Sequence, residues 1–224
     1  MNLVEYPDRE MMMIDLANVL AGQLSAALRH GGDALFVVPG GTTPGPIFDT
    51  LSGVDLHWDR VKVLLSDERW VPETSDRSNT RLLRERLLVD RAAAATFLPL
   101  YAEAAEPEDR IHDLAAGIRP HLPISVLLLG MGADMHTASL FPGADRLSEA
   151  MADHAPLLVP MRAPGAPEPR ITLSAPVLAG AINTHIVITG TEKRDALRTA
   201  RNLGDPMRAP ILAVLSGATI HWAE

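Results

Sequence analysis

The sequence predicts an α/β fold: a single-domain, Rossmann-like, mostly parallel sheet flanked by helices, with a small additional β and loop region, across residues 1–224. Three observations predict it. Short apolar runs, too brief for ordinary helices, alternate with longer stretches of helical periodicity. Several of those runs end in glycine-rich or charged segments, where open α/β sheets bind ligands. The 224 residues, 47% hydrophobic and 21% charged, suffice for a sizeable core, and no repeat or convincing linker divides them.

Taken in order, Asp8 caps a predicted helix running to about Arg29, with Ile14, Leu16, Val19, Leu20 and Leu24 as its apolar face. Ala34–Val38 is a buried strand, and Pro44 suits the first turn of a helix ending near Leu51. Val61–Leu65 is the next strand. Beyond a polar loop, an amphipathic helix from about Asn79 carries Leu82, Leu83, Leu87 and Leu88, and Pro107–Arg119 reads as another helix. Ser125–Leu129 and Leu157–Met161 are strands, with the proline-rich loop Ala163–Pro169 after the second. Ser174 caps a short helix at Pro176–Ala179, and His185–Thr189 is a strand. Ile211–Leu215 reads as a last helix and Thr219–Trp222 as a closing strand.

Net charge is -8 with no run of basic residues, which disfavours nucleic acid and anionic membranes as partners. An anionic small molecule remains compatible, because local cations and helix N-termini bind anions whatever the total. The absence of cysteine excludes disulfides, thiolate catalysis and zinc–thiolate sites. No signal-peptide pattern is seen, and no apolar stretch is expected to reach the ~18 residues of a membrane span, so a cytoplasmic location is expected.

Five segments carry chemistry. Gly40-Gly41-Thr42-Thr43 lies between a strand and a helix, where backbone N–H groups, two hydroxyls and a helix start can converge on an anion; a plain βα turn is the simpler reading of glycines alone. No Gly-Lys-Ser/Thr follows, so a nucleotide P-loop is not supported. Asp67-Glu68-Arg69 follows a strand end; the carboxylates can orient a base, and Arg69 can grip a phosphate. In isolation it also reads as a solvated, salt-bridged loop, and Ser78-Asn79 as a helix cap. Asp134 and His136 follow Gly130 and Gly132, so an acid can orient an imidazole that moves protons near neutral pH. None of the other seven histidines has such a setting. Arg170 follows a proline-restricted approach. Lys193, one of only two lysines against 18 arginines, sits just past a strand.

Together and in order, these segments resemble the 6-phosphogluconolactonase family, within the glucosamine-6-phosphate isomerase/deaminase-like superfamily. Pro39-Gly40-Gly41-Thr42-Thr43-Pro44 is similar to a Ser-Gly-Gly-Ser-Thr-Pro loop, and Asp67-Glu68-Arg69 with Ser78-Asn79 to an Asp-Glu-Arg and later Ser-Asn. Gly130 through Pro142 is close to Gly-x-Gly-x-Asp-Gly-His-Thr-Ala-Ser-Leu-Phe-Pro. Pro167 with Arg170–Leu173 follows Pro-x-Arg-Ile-Thr-Leu apart from spacing, and Gly190–Lys193 matches Gly-x-x-Lys. Two departures stand out. Pro39 and Thr42 replace serines, and Met135 replaces the glycine between acid and histidine. If that glycine has positive φ, methionine costs about 1 kcal/mol or forces another turn, and its side chain either narrows the pocket or packs inward.

The resemblance implies hydrolysis of 6-phospho-D-glucono-1,5-lactone in the pentose phosphate pathway, with a phosphosugar lactone as partner and neither metal nor cofactor. The expected base on water is His136, oriented by Asp134 or Asp67, with Gly40, Gly41, Thr42, Thr43, Arg69, Arg170 and Lys193 holding the phosphate or the developing charge. A monomer or small homo-oligomer is expected. A glucosamine-6-phosphate deaminase and a non-catalytic sugar-phosphate sensor are the alternatives. The deaminase family carries an Asp-Glu-Tyr-like segment and another continuation after its histidine; the sensor class normally carries a DNA-binding segment.

Overall fold

The computed structural model describes residues Met1–Glu224. The strands are β1 (Asn2–Glu5), β2 (Ala34–Val38), β3 (Val61–Leu65), β4 (Asp67–Arg69), β5 (Thr96–Leu98), β6 (Val126–Gly130), β7 (Leu158–Met161), β8 (Arg170–Leu173), β9 (Asn183–Thr189) and β10 (Thr219–Ala223). The helices are α1 (Arg9–Arg29), α2 (Gly45–Ser52), α3 (Asn79–Arg86), α4 (Ile111–Ile118), α5 (Leu147–Met151), α6 (Ala175–Ala179) and α7 (Thr191–Leu203).

Seven strands form one parallel sheet in the order β1-β10-β9-β6-β2-β3-β5, and β4, β8 and β7 form a small antiparallel sheet. Strands β2 and β6 are fully apolar and buried up to their ends, as a sheet covered on both faces requires. From β2 the chain winds outward through β3 to β5, and from β6 outward in the other direction through β9 to β10. The reversal falls between β2 and β6, and a crevice opens at the carboxyl ends of strands at such a point. Ser66 joins the two sheets: its N–H donates to Val38 of β2, and its carbonyl accepts from Leu173 of β8.

One face of the large sheet is covered by α1, capped by Asp8, whose carboxylate accepts the Met11 N–H. Met12, Leu16, Leu20 and Leu24 are wholly buried, whereas Ile14, expected on that face, is 47% exposed. At 21 residues, α1 is long and apolar enough to cross a membrane by length and composition, contrary to the expectation of no such stretch. Here it is a core helix, its buried residues contributing to the large hydrophobic cluster.

Beneath α1 runs a chain of polar groups that passes from exposed Asp15 through half-buried Tyr6 to two buried histidines. The Tyr6 hydroxyl donates to Asp15 Oδ2 (2.7 Å), so its oxygen must accept from His221 Nδ1 (2.9 Å). His221 Nε2 then accepts from His185 Nδ1 (2.9 Å), and His185 Nε2 lies 2.8 Å from the Gln23 carboxamide, which must present its N–H there. Burial lowers both histidines from 6.5 to about 4, so they are held neutral.

Several elements differ from the sequence expectation. Asp67-Glu68-Arg69, expected as a loop beyond a strand, is itself β4 and pairs with β8. The expected continuous helix Pro107–Arg119 is a 3₁₀ turn at Pro107–Asp109 followed by α4; Arg110, at φ -123°, breaks the path. The helix on Leu82 and Leu83 ends at Arg86, before Leu87 and Leu88. Residues Pro210–Val214 form a 3₁₀ turn rather than a helix, and Ser174 makes no side-chain cap bond.

Candidate active site

The carboxyl ends of four adjacent strands, β9, β6, β2 and β3, open onto one polar cleft of about 280 Å³. It is lined by Gly40, Gly41, Thr42, Thr43, Asp67, Arg69, His136, Arg170 and Lys193, bringing together every sequence-predicted site residue except Asp134. After β2 the chain turns at Gly41 (φ +83°), and α2 begins behind it at Gly45. A Cβ on Gly40 would stand 2.0 Å from Asn79 Oδ1, so any larger residue there would displace the Asn79 carboxamide. The N–H groups of Gly40, Gly41, Thr42 and Thr43 donate to no backbone acceptor. Four free amides ahead of a helix form a concave set of donors, the arrangement that accepts an anion.

The cations of the cleft are unusually unpaired. Arg69 and Arg170 stand directly opposite each other in the β4–β8 pairing, a like-charge juxtaposition that destabilises a sheet unless an anion lies between. Each has a buried Nε without a partner. Arg170 is 8% exposed, and Asp67 Oδ2, at 3.9 Å, is its one acidic neighbour within ion-pair reach. Burial lowers its basicity, with Asp67 acting in the opposite sense and Arg69 adding to the depression. Lys193 lies on the first turn of α7, after Gly190 (φ +83°), on the cleft wall; Lys62, by contrast, is paired with Asp33 at 3.2 Å.

After β6, the N–H of Gly132 donates to the His136 carbonyl (3.0 Å), and that of Met135 donates to the Gly132 carbonyl (2.9 Å). This tight turn sets Asp134 Oδ1 2.5 Å from His136 Nδ1 and 3.2 Å from its backbone nitrogen. A Cβ on Gly132 would lie 2.2 Å from that ring nitrogen, so glycine leaves room for the pair. The bond to His136 holds the Asp134 carboxyl below its ordinary range, against the opposing pull of burial. A charged Asp134 on Nδ1 makes Nε2 the acceptor, on a ring that lines the cleft. Asp134 itself lies at the Nδ1 edge of the ring, outside the cleft wall.

Asp67, the other acid expected to orient His136, does not bond to the imidazole. It accepts from the hydroxyls of Ser66 (2.9 Å) and Ser139 (2.6 Å). Met135 takes φ +68° while keeping its methionine, and its side chain packs against the hydrophobic cluster rather than lining the cleft. Ala138 also has positive φ, +49°. The histidine loop therefore carries two strained residues, each costing on the order of 1 kcal/mol.

Other residues stand out only in the folded chain. Glu68 is fully buried and accepts from the N–H groups of Arg69, Asn79 and Thr80 and the hydroxyls of Ser78 and Thr80. It ties β4 to the start of α3 and lies outside the cleft; burial pushes its carboxyl upward against the pull of those donors. Ser78 is the α3 cap, while Asn79 lines the cleft and donates to the Asp67 carbonyl (3.0 Å). The adjacency of Ser78 and Asn79 after an acidic segment was the available signal for that site residue. Phe141 lies against His136 with ring centroids 4.2 Å apart and the planes tilted by 30°.

A family model described as glucosamine-6-phosphate isomerases/6-phosphogluconolactonase matches residues 7–222. A 6-phosphogluconolactonase of Rhizobium meliloti (strain 1021) is 42% identical over 215 residues, covering 93% of this chain and 92% of that protein. The crystal structure of a 6-phosphogluconolactonase from Shewanella baltica OS155 superposes with a TM-score of 0.96 at 33% identity, over 100% of this chain and 97% of the other. A monomeric glucosamine-6-phosphate deaminase superposes with a TM-score of 0.80 at 15% identity, over 100% of this chain and 98% of the other, which shows a shared fold alone.

Proposed function

This chain belongs to the glucosamine-6-phosphate isomerase/6-phosphogluconolactonase family, and from that premise we propose that it hydrolyses 6-phospho-D-glucono-1,5-lactone to 6-phospho-D-gluconate in the pentose phosphate pathway. The observation that carries this reading is the pairing, within one cleft, of a carboxylate-oriented imidazole with arginines that keep unpartnered nitrogens and with free loop amides. One end can activate water, and the other can hold a phosphate.

In this mechanism His136 Nε2 takes a proton from a water whose oxygen attacks the lactone carbonyl carbon. Asp134 keeps the proton on Nδ1 and stabilises the imidazolium that forms. Collapse of the tetrahedral intermediate breaks the bond to the ring oxygen, which leaves with the proton returned by His136. The amides of Gly40 to Thr43, the α2 start, Arg69, Arg170 and Lys193 supply the positive field for the 6-phosphate and the developing oxyanion. Asp67 holds Ser139 and balances Arg170.

A monomer or small homo-oligomer is part of the same proposal. The substrate and pathway favour the cytoplasm. The test is lactone hydrolysis by purified protein, measured above the spontaneous rate, beside ammonia release from glucosamine 6-phosphate and saturable 6-phosphogluconate binding. Ammonia release, or binding without turnover, would replace this reading with the deaminase or the sensor.

A further inference from the structure

Phe141 is a large aromatic residue that belongs neither to the hydrophobic cluster nor to the cleft wall. Its ring nevertheless touches two cleft residues from outside. The His136 ring lies 4.2 Å away, centroid to centroid, at 30° between planes, and the Arg170 guanidinium carbon lies 5.1 Å from the ring centre. A short backbone device produces this contact. Thr137 and Leu140 form an antiparallel bridge, with the Leu140 N–H donating to the Thr137 carbonyl at 3.0 Å and Ala138 at φ +49° in the turn. Residues 136 and 141 are the next pair outward, so the fold lays one ring on the other.

We propose that Phe141 is a positioning residue serving both ends of the cleft: it fixes the plane of the His136 imidazole and carries the Arg170 guanidinium. The proposal rests on the reading of His136 as the base. The hydrogen bond from Nδ1 to Asp134 holds one edge of the imidazole, and tilting of the ring out of its plane is resisted only by what packs on its faces. Phe141 closes the remaining freedom from one face. Protonation of the ring turns the aromatic contact into a cation–π contact, so Phe141 favours the imidazolium form that arises during turnover. Arg170 needs a comparable support, because its Nε has no partner and Asp67 stands 3.9 Å off. The face of Phe141 supplies electrostatic attraction without neutralising the charge that an anion must meet.

The experiment compares Phe141→Leu, which keeps bulk and loses the π face, with Phe141→Tyr, which keeps the ring. Phe141→Leu is expected to lower kcat about tenfold and raise both KM for the lactone and the inhibition constant of inorganic phosphate several-fold, with an unchanged melting temperature. Phe141→Tyr should restore all three. In a His136→Ala background, Phe141→Leu should change the residual turnover no further while still weakening phosphate inhibition. Parental kinetics in Phe141→Leu would overturn the proposal. So would losses that follow a fallen melting temperature and resist rescue by tyrosine. If His136→Ala abolishes turnover and Phe141→Leu is silent, the base assignment stands and this proposal falls; if His136→Ala keeps full turnover, the base assignment itself falls.

Discussion

His136 and the His185–His221 pair show what two environments make of one side chain. His136 stands at the carboxyl end of β6, one nitrogen on Asp134 and the other open to a polar cleft. His185 and His221 lie under α1 with every ring nitrogen engaged, and burial holds both neutral down to about 4. The first is free to exchange a proton, and the second pair is arranged so that it does not. Lysines and arginines divide in the same way: Lys62 is paired, while Arg69 and Arg170 keep unpartnered buried nitrogens at the cleft. Unspent hydrogen-bonding capacity at the strand ends marks chemistry, and spent capacity beneath the sheet marks architecture.

The sharpest way to break this contrast is His136→Ala. Turnover should fall by about 10²–10⁴-fold with the urea midpoint unchanged, since the side chain carries a proton rather than a load. Full lactonase activity in that variant would end the comparison. Next, His221→Phe should do the reverse. It strands the buried His185 Nδ1, costing about 1–3 kcal/mol in urea unfolding, while the half-buried Tyr6 hydroxyl keeps its bond to Asp15. The kcat of the folded fraction should stay at the parental value; a collapse matching that of His136→Ala would show that the buried pair takes part in turnover.

The same contrast governs how much could be read from the chain. Segments legible in sequence are those where local chemistry suffices: Gly40 to Thr43 and Gly130 to His136 each follow an apolar run, and glycine is favoured by φ at Gly41 and by a close neighbour at Gly40 and Gly132. The His185–His221 pair was not legible. Its meaning comes from Tyr6, Asp15 and Gln23 on elements nearly the whole chain away. Strands β1 and β5 were missed because they are short edges, and α7 because only Leu197 and Ala200 of its thirteen residues are buried. Asp67 and Asp134 were indistinguishable as partners of His136 until Ser66 and Ser139 claimed the first.

A smaller effect sharpens the buried side. Both histidines ordinarily titrate near 6.5 and do so at about 4 in the fold, so the unfolded chain binds more protons between those values. Stability should therefore fall as pH drops from about 6.5 to about 4, by at most ~1.4 kcal/mol per pH unit for each histidine, and His221→Phe should flatten the slope. Urea midpoints across that range test the sign. Smallest of all is Met135→Gly. Relief of positive φ offsets lost packing and added chain entropy, so stability should stay within about 1 kcal/mol of the parent and kcat within about twofold. A large change in kcat would move Met135 from the hydrophobic cluster to the cleft.

The placement of β1 beside β10 also sets a clock. Tyr6 and Asp15 leave the ribosome more than two hundred residues ahead of His221, which completes their polar chain. At about 5–20 residues per second, ten seconds or more pass before that partner exists. During that interval α1, apolar enough to resemble a membrane segment, has no finished sheet to lie on. The apolar face of α1 thus stays without its β10 neighbours until β10 is made.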